Sequence, residues 1–252
     1  MPRDAADPFV TPEDWRVVQQ RQAADRDRYG RFLERGQDVV SRTDKARLKD
    51  SAAFLRDLLS LYDDNEALLV DVGSALGHRD PALAGVTVRE LQQDPEIRRK
   101  ARVVATDIPG QYRPLADVDT EEIPANFRLP IDQIAAKRGN PPLWVIRAAN
   151  SIDLLMDDAQ TRAHFQDIAQ RARGHEVMYA FNKHLLYKSA DADQFRVIGD
   201  LSNRGFAHRS KDWKTKYLNS GRSDKRVSSW RRIFCRPKPG SSTRRRSERS
   251  QR

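Results

Sequence analysis

The chain has 252 residues, 38% hydrophobic and 33% charged, enough apolar material for a large core and a composition that excludes a collagenous or membrane-spanning class. Its net charge of +10 is not spread evenly: residues 222–252 hold 12 of the 46 lysines and arginines and two of the 36 acids, so the rest of the chain is balanced. A single cysteine, Cys235, excludes an internal disulfide framework, and five scattered histidines offer no zinc-ligand spacing.

The opening residues, Met1 to Pro8, lack the apolar stretch of a signal peptide, and no apolar run approaches the roughly 18 residues of a membrane span. A cytoplasmic protein is therefore expected. Thr11, Pro12, Glu13 and Asp14 supply an N-cap, a first-turn proline and first-turn acids, and so predict a helix. This helix is densely charged from Arg21 to Arg28, and its clearest apolar cluster is Tyr29, Phe32 and Leu33, which predicts packing near its end. A second helix, about residues 45–62, carries Leu48, Ala52, Leu55, Leu58, Leu59 and Tyr62 on one stripe.

Leu68 to Val72 then read as a buried parallel strand, broken by Asp71 and emptying into the turn Gly73-Ser74-Ala75-Leu76-Gly77. Thr87 and Glu90 have capping-box spacing, and Asp94-Pro95 restarts a short helix toward Ala101, so the crossover to the next strand is helical but interrupted. Val103 to Asp107 is a second apolar strand ending in an acid. A third strand is expected near Phe127-Arg128-Leu129, followed by Asp132. Leu143 to Ile146 is the fourth, running through Arg147 into Asn150. Asp157 and Asp158 can cap a helix with the stripe Phe165, Ile168, Ala169 and Ala172, stopped at Gly174. Val177 to Phe181 reads as strand five, and Gln194 to Ile198 and the segment around Phe206 as strands six and seven.

These residues resemble a family. VDVGSALG, VVATD and LWVIRAANSIDLL are similar to motif I, motif II and the strand-four region of class I S-adenosylmethionine-dependent methyltransferases, over roughly residues 60–210. The resemblance implies an α/β fold with a Rossmann-like, seven-stranded, mostly parallel sheet flanked by helices. It divides the chain into an N-terminal helical lead-in or cap (1–63), a cofactor-binding domain (64–215) and a basic tail expected to be disordered (216–252). It further implies that S-adenosylmethionine is held by Asp71, Gly73, Ser74, Gly77, Asp107, Ile108, Asp132 and Asn150. In this reading Asp71 serves the ammonium side, Asp107 the ribose hydroxyls, Asp132 the adenine amino group, and Asn150 lies beside the departing methyl. The methyl acceptor would be a small molecule or a macromolecule; a general base, where one is needed, would be Asp153, His184 or His208.

The sequence departs from the family pattern at Ala75, where the middle glycine of Gly-x-Gly-x-Gly is expected, and in the length of chain between the turn and Asp107. Gly73 and Gly77 do not supply the Gly-x-Gly-x-x-Gly of a dehydrogenase. Asn140-Pro141-Pro142 resembles the Asn-Pro-Pro-Tyr motif of amino methyltransferases, but it precedes an apolar strand rather than following one and reads as a loop. The alternative is a methyltransferase-like module without chemistry that binds nucleic acid or another polyanion through residues 222–252, where Trp230 and Phe234 lie among the arginines.

Overall fold

A computed structural model describes residues 14–20, 22–24, 44–64, 66–78, 80–124, 126–137, 139–148, 151–181 and 184–200. Its helices are α1 (14–20), α2 (Asp44–Leu59), α3 (Val86–Gln93), α4 (Pro95–Lys100), α5 (Ile131–Lys137), α6 (Ile152–Leu155) and α7 (Asp158–Arg171). Its strands are β1 (Ala67–Val72), β2 (Ala101–Asp107), β3 (Asp119–Glu122), β4 (Leu143–Ala148), β5 (Glu176–Phe181), β6 (His184–Lys188) and β7 (Arg196–Asp200). They form one seven-stranded sheet in the order β3-β2-β1-β4-β5-β6-β7. Pairing is parallel from β3 across to β5 and antiparallel for β5 with β6 and for β6 with β7. None of the described helices is long and apolar enough to cross a membrane.

Helices cover both faces, which is why the central strands are continuous apolar runs rather than alternating ones. Leu55, Leu58, Val88, Leu91 and Ile97 pack on Ala67, Leu69, Val103, Val145 and Met178. Trp15, Val18, Ile131, Phe165 and Ile168 pack on Leu68, Val70, Val104, Trp144 and Tyr179 on the opposite face. Each large apolar side chain so buried contributes about 1.5–3 kcal/mol. The helix assigned to a lead-in, α2, thus shares its core with β1. In α1, Trp15 and Val18 are buried, so this helix packs through its first turns; Thr11, Tyr29, Phe32 and Leu33 lie outside the described residues.

Several expectations are met closely. Asp157 caps α7 in a reciprocal capping box with Gln160, and Gly174 lies just past the helix at φ 79°. Asp94 accepts from the amides of Glu96 and Ile97 and, with Pro95, starts α4. Others require correction. α3 starts at Val86 after Gly85, which makes no side-chain cap, so Thr87 is inside the helix and forms no capping box. The third strand is Asp119–Glu122, not Phe127–Leu129: Phe127 sits at φ 58°, which ends any extended run there. β3 is a charged, largely solvent-facing edge strand, and such strands carry no apolar signal. The hairpin partner of β5 is β6, a strand the sequence pattern does not announce, and Gln194–Ile198 leads into the seventh strand rather than the sixth. β6 is hard to read because its ends are His184 and Lys188. Both are buried, and Lys188 Nζ donates to the carbonyls of Ala172, His175 and Ser189 at 3.0, 3.3 and 3.0 Å, closing the end of α7. The segment around Phe206 lies outside the described residues.

A buried histidine ties the loop after β3 to the sheet. His164 Nδ1 lies 3.2 Å from the carbonyl of Phe127 and Nε2 lies 2.7 Å from the Tyr179 hydroxyl. A carbonyl can only accept, so Nδ1 carries the proton and Nε2 accepts from Tyr179. Burial lowers the pKa of this imidazole from 6.5 to about 4. Above pH 6.5 neither folded nor unfolded chain protonates it. Between pH 6.5 and 4 only the unfolded chain takes the proton, so stability falls with pH by up to about 3 kcal/mol. Urea titrations at pH 7 and pH 4.5 should show this loss in the wild type and a smaller one in His164→Gln. Equal losses would mean that other groups govern the acid limb.

Candidate functional site

The strand order reverses between β1 and β4: from β1 the chain crosses one way to β2 and β3, and β4 and β5 lie on the other side. Loops leaving the carboxyl ends of β1 and β4 therefore diverge and open a crevice, the usual ligand position in such sheets. Asp71, next to last in β1, is fully buried at this edge. The turn after it is held by the neighbouring strand. The amides of Gly73 and Ser74 both donate to the carbonyl of Thr106, at 2.9 and 3.0 Å, while the Thr106 hydroxyl donates to the carbonyl of Asp71 at 3.0 Å.

The turn requires left-handed backbone twice, at Gly73 (φ 72°) and at Ala75 (φ 53°). Glycine adopts this conformation freely, whereas an alanine there is strained by roughly 1 kcal/mol. The departure from the family pattern thus falls at a position where the backbone asks for glycine. Ala75→Gly should accordingly stabilise the protein by up to about 1 kcal/mol, read as a rise in denaturation midpoint with unchanged slope. A lower midpoint would show that the alanine methyl makes contacts that outweigh the strain.

Two carboxylates face the same layer as α2 and α3. Asp107, 4% exposed, accepts from the amide of Leu76 at 2.8 Å and from that of Ile108 at 2.9 Å. Burial raises its pKa; the backbone donors oppose this and the charge of Asp71 adds to it. Asp71 accepts from the Ser74 hydroxyl at 2.7 Å and from Arg147 Nη1 at 2.5 Å. Arg147 lies directly across from Asp71 on β4, and the next strands outward place Ala105 beside Asp71 and Ala180 beside Arg147. An ion pair is thus set between two alanines in the floor of the crevice. Arg147 Nε is buried there and donates to no acceptor among the described residues.

Of the residues assigned from sequence, Asp71, Gly73, Ser74, Gly77, Asp107 and Ile108 come together at this edge. Both glycines meet neighbouring chain closely: a Cβ on Gly73 would lie 2.3 Å from Cβ of Ser151, and one on Gly77 2.7 Å from the carbonyl of Gln111. Asp132 does not join them. It stands in the first turn of α5 and pairs at 2.5 Å with Arg171, in the last turn of α7. That turn is about 20 Å along the helix from its start after β4. Asn150, His208 and the tail 222–252 lie outside the described residues, as does the side chain of Asp153. His184 is buried and opens β6, opposite Phe181. Arg147 as the partner of Asp71 is not legible in the sequence, because nothing in two distant apolar strands shows their register. The one signal is a charge near the end of each run.

A groove of about 590 Å³ lies elsewhere, beside the amino end of β2, lined by Arg89, Gln92, Gln93, Arg98, Arg102, Asp117 and Asp119 among others. Arg89 is committed to Asp117 at 2.7 Å, whereas Arg98 and Arg102 are exposed and ion-paired to nothing among the described residues. No protein-family model matches the sequence, and no curated protein matches it.

Proposed function

We propose that the chain is an S-adenosylmethionine-dependent methyltransferase. The observation that carries this reading is the gathering of Asp71, the left-handed Gly73 turn and Asp107 at one strand-order reversal, in a sheet that is parallel from β3 to β5. The chemistry of the donor set fits the group: buried carboxylates for an ammonium and a ribose diol, small residues in the turn, and an orphaned guanidinium nitrogen in the floor. The cofactor would supply a sulfonium-bound methyl group for in-line transfer. Asp71 is held under the turn by Ser74 and Arg147. Asp107 holds the turn shut through Leu76 and retains lone pairs for hydroxyl donors, since each carboxylate oxygen can accept more than one bond. Positioning is the protein's main contribution to such a transfer. Calorimetric titration with S-adenosylmethionine and S-adenosylhomocysteine, with NADH as control, tests this. Micromolar binding of the sulfonium pair alone supports the assignment, and absence of binding removes it.

One set of observations favours a second reading, a module without chemistry that binds a polyanion. Ala75 occupies a glycine position, the space beside Gly77 is taken by Gln111, and the exposed Arg98 and Arg102 line a groove apart from the crevice. In that case RNA or DNA binding would fall steeply with salt and be weakened by deleting residues 222–252.

A further inference from the structure

We infer that Arg147 is the carboxylate-recognising residue of the site, and that the Asp71–Arg147 pair forms a two-charge receptor for the amino-acid end of the ligand. This rests on the proposed cofactor reading and gives a role to Arg147, which lies in the strand-four stretch but is not among the residues assigned to the cofactor from sequence. The reasons are charge and geometry. An α-amino acid end carries an ammonium and a carboxylate a few ångströms apart. The floor of the crevice presents one carboxylate and one guanidinium, joined at 2.5 Å through Arg147 Nη1 alone. Arg147 can donate five hydrogen bonds in a planar fork. Its Nε is buried and bonded to nothing among the described residues, and its side chain is 15% exposed against 0% for Asp71. The guanidinium is therefore the member of the pair that still reaches solvent and has donors to give.

Its described neighbours along the sheet do not compete for those donors. Ala180, across from Arg147 on β5, has no side-chain acceptor, and neither has Ala105 beside Asp71. Ser74, the other group on Asp71, holds the opposite carboxylate oxygen and fixes which edge of Asp71 the guanidinium takes. A ligand carboxylate on the solvent-reaching edge of Arg147 leaves the buried pair intact, and its ammonium then lies over the turn, with Asp71 covered beneath it. Opposite charges then alternate around the floor, and no buried charge is left without a counter-charge, the condition on which buried ion pairs are tolerated.

The test compares S-adenosylmethionine with its decarboxylated form, which keeps the sulfonium, ribose, adenine and ammonium and lacks only the carboxylate. Binding is measured by calorimetry on the full chain. The wild type should prefer S-adenosylmethionine by roughly tenfold or more, the usual worth of a charge-assisted carboxylate contact. Asp71→Asn should weaken both ligands and leave that ratio in place. The double variant D71N/R147M, which leaves no unpaired buried charge, should bring the ratio close to one. A ratio that survives in the double variant, or a wild type that binds both ligands alike, overturns the role of Arg147 while leaving the cofactor reading standing. A folded wild type that binds neither ligand overturns both.

Discussion

Arg147→Met should destabilise the protein by about 3–5 kcal/mol, the largest single loss expected from any substitution at the candidate site. Asp71 is fully buried and, among the described residues, would be left with the Ser74 hydroxyl as its one side-chain partner. The penalty arises from the charge that remains, because a carboxylate in a dry environment without a counter-charge must either keep its ionisation cost or take up a proton. Removing both charges should therefore restore most of the stability: D71N/R147M replaces the pair by an amide and an apolar side chain, and such replacements are often near neutral. Urea denaturation of the wild type, the two single variants and the double variant closes a cycle, and the coupling energy should exceed the loss that remains in the double variant. A loss below about 1 kcal/mol for Arg147→Met would show the pair to be solvated and of surface character.

Gly73→Ala is the second large effect, and here packing and backbone strain can be separated. At φ 72° any side chain is strained, which by itself costs roughly 1–2 kcal/mol. An alanine Cβ would also overlap Ser151 Cβ at 2.3 Å, a distance that only a shift of the loop after β4 could relieve. Gly110 is the control: its φ is 85°, yet a Cβ there meets nothing within 4 Å. Gly110→Ala should thus cost about 1 kcal/mol and Gly73→Ala about 3 kcal/mol or more. Equal losses at the two positions would mean that the β4 loop yields easily and that the contact with Ser151 is unimportant. If the contact holds, Gly73→Ala should also abolish the S-adenosylmethionine binding proposed above, because Ser151 would have to move away from the turn.

Much of the fold is legible because parallel strands buried on both faces are mostly apolar, and Leu68–Val72, Val103–Asp107, Leu143–Ile146 and Val177–Phe181 fit that description, with polar residues only toward the carboxyl ends of the first two. Caps at Asp94 and Asp157 are readable for a local reason, since a side chain bonding amides two or three residues ahead needs no tertiary partner. The misses lie at the sheet's margins. β3 is Asp-Thr-Glu-Glu on an edge, and β6 ends in a histidine and a lysine, the lysine bonded to three carbonyls within the fold. Polar residues there read as loop because the groups that satisfy them come from elsewhere along the chain.

The candidate site divides along the same line. Composition and local pattern by themselves determined a large-core α/β chain with balanced charge before its basic end, an acid near the end of β1, a glycine turn after it and an acid closing β2. Only the tertiary structure decided which groups face one another: Arg147 across from Asp71, Leu76 on Asp107, Ser151 against Gly73, and Asp132 drawn away to Arg171. The physical reason is range. Helix caps, turns and burial patterns act within a few residues, whereas these pairings span 31 residues for Leu76 with Asp107 and 76 for Asp71 with Arg147. Strand register sets such pairings, and two apolar strands in isolation carry little in their sequences to choose one register over another.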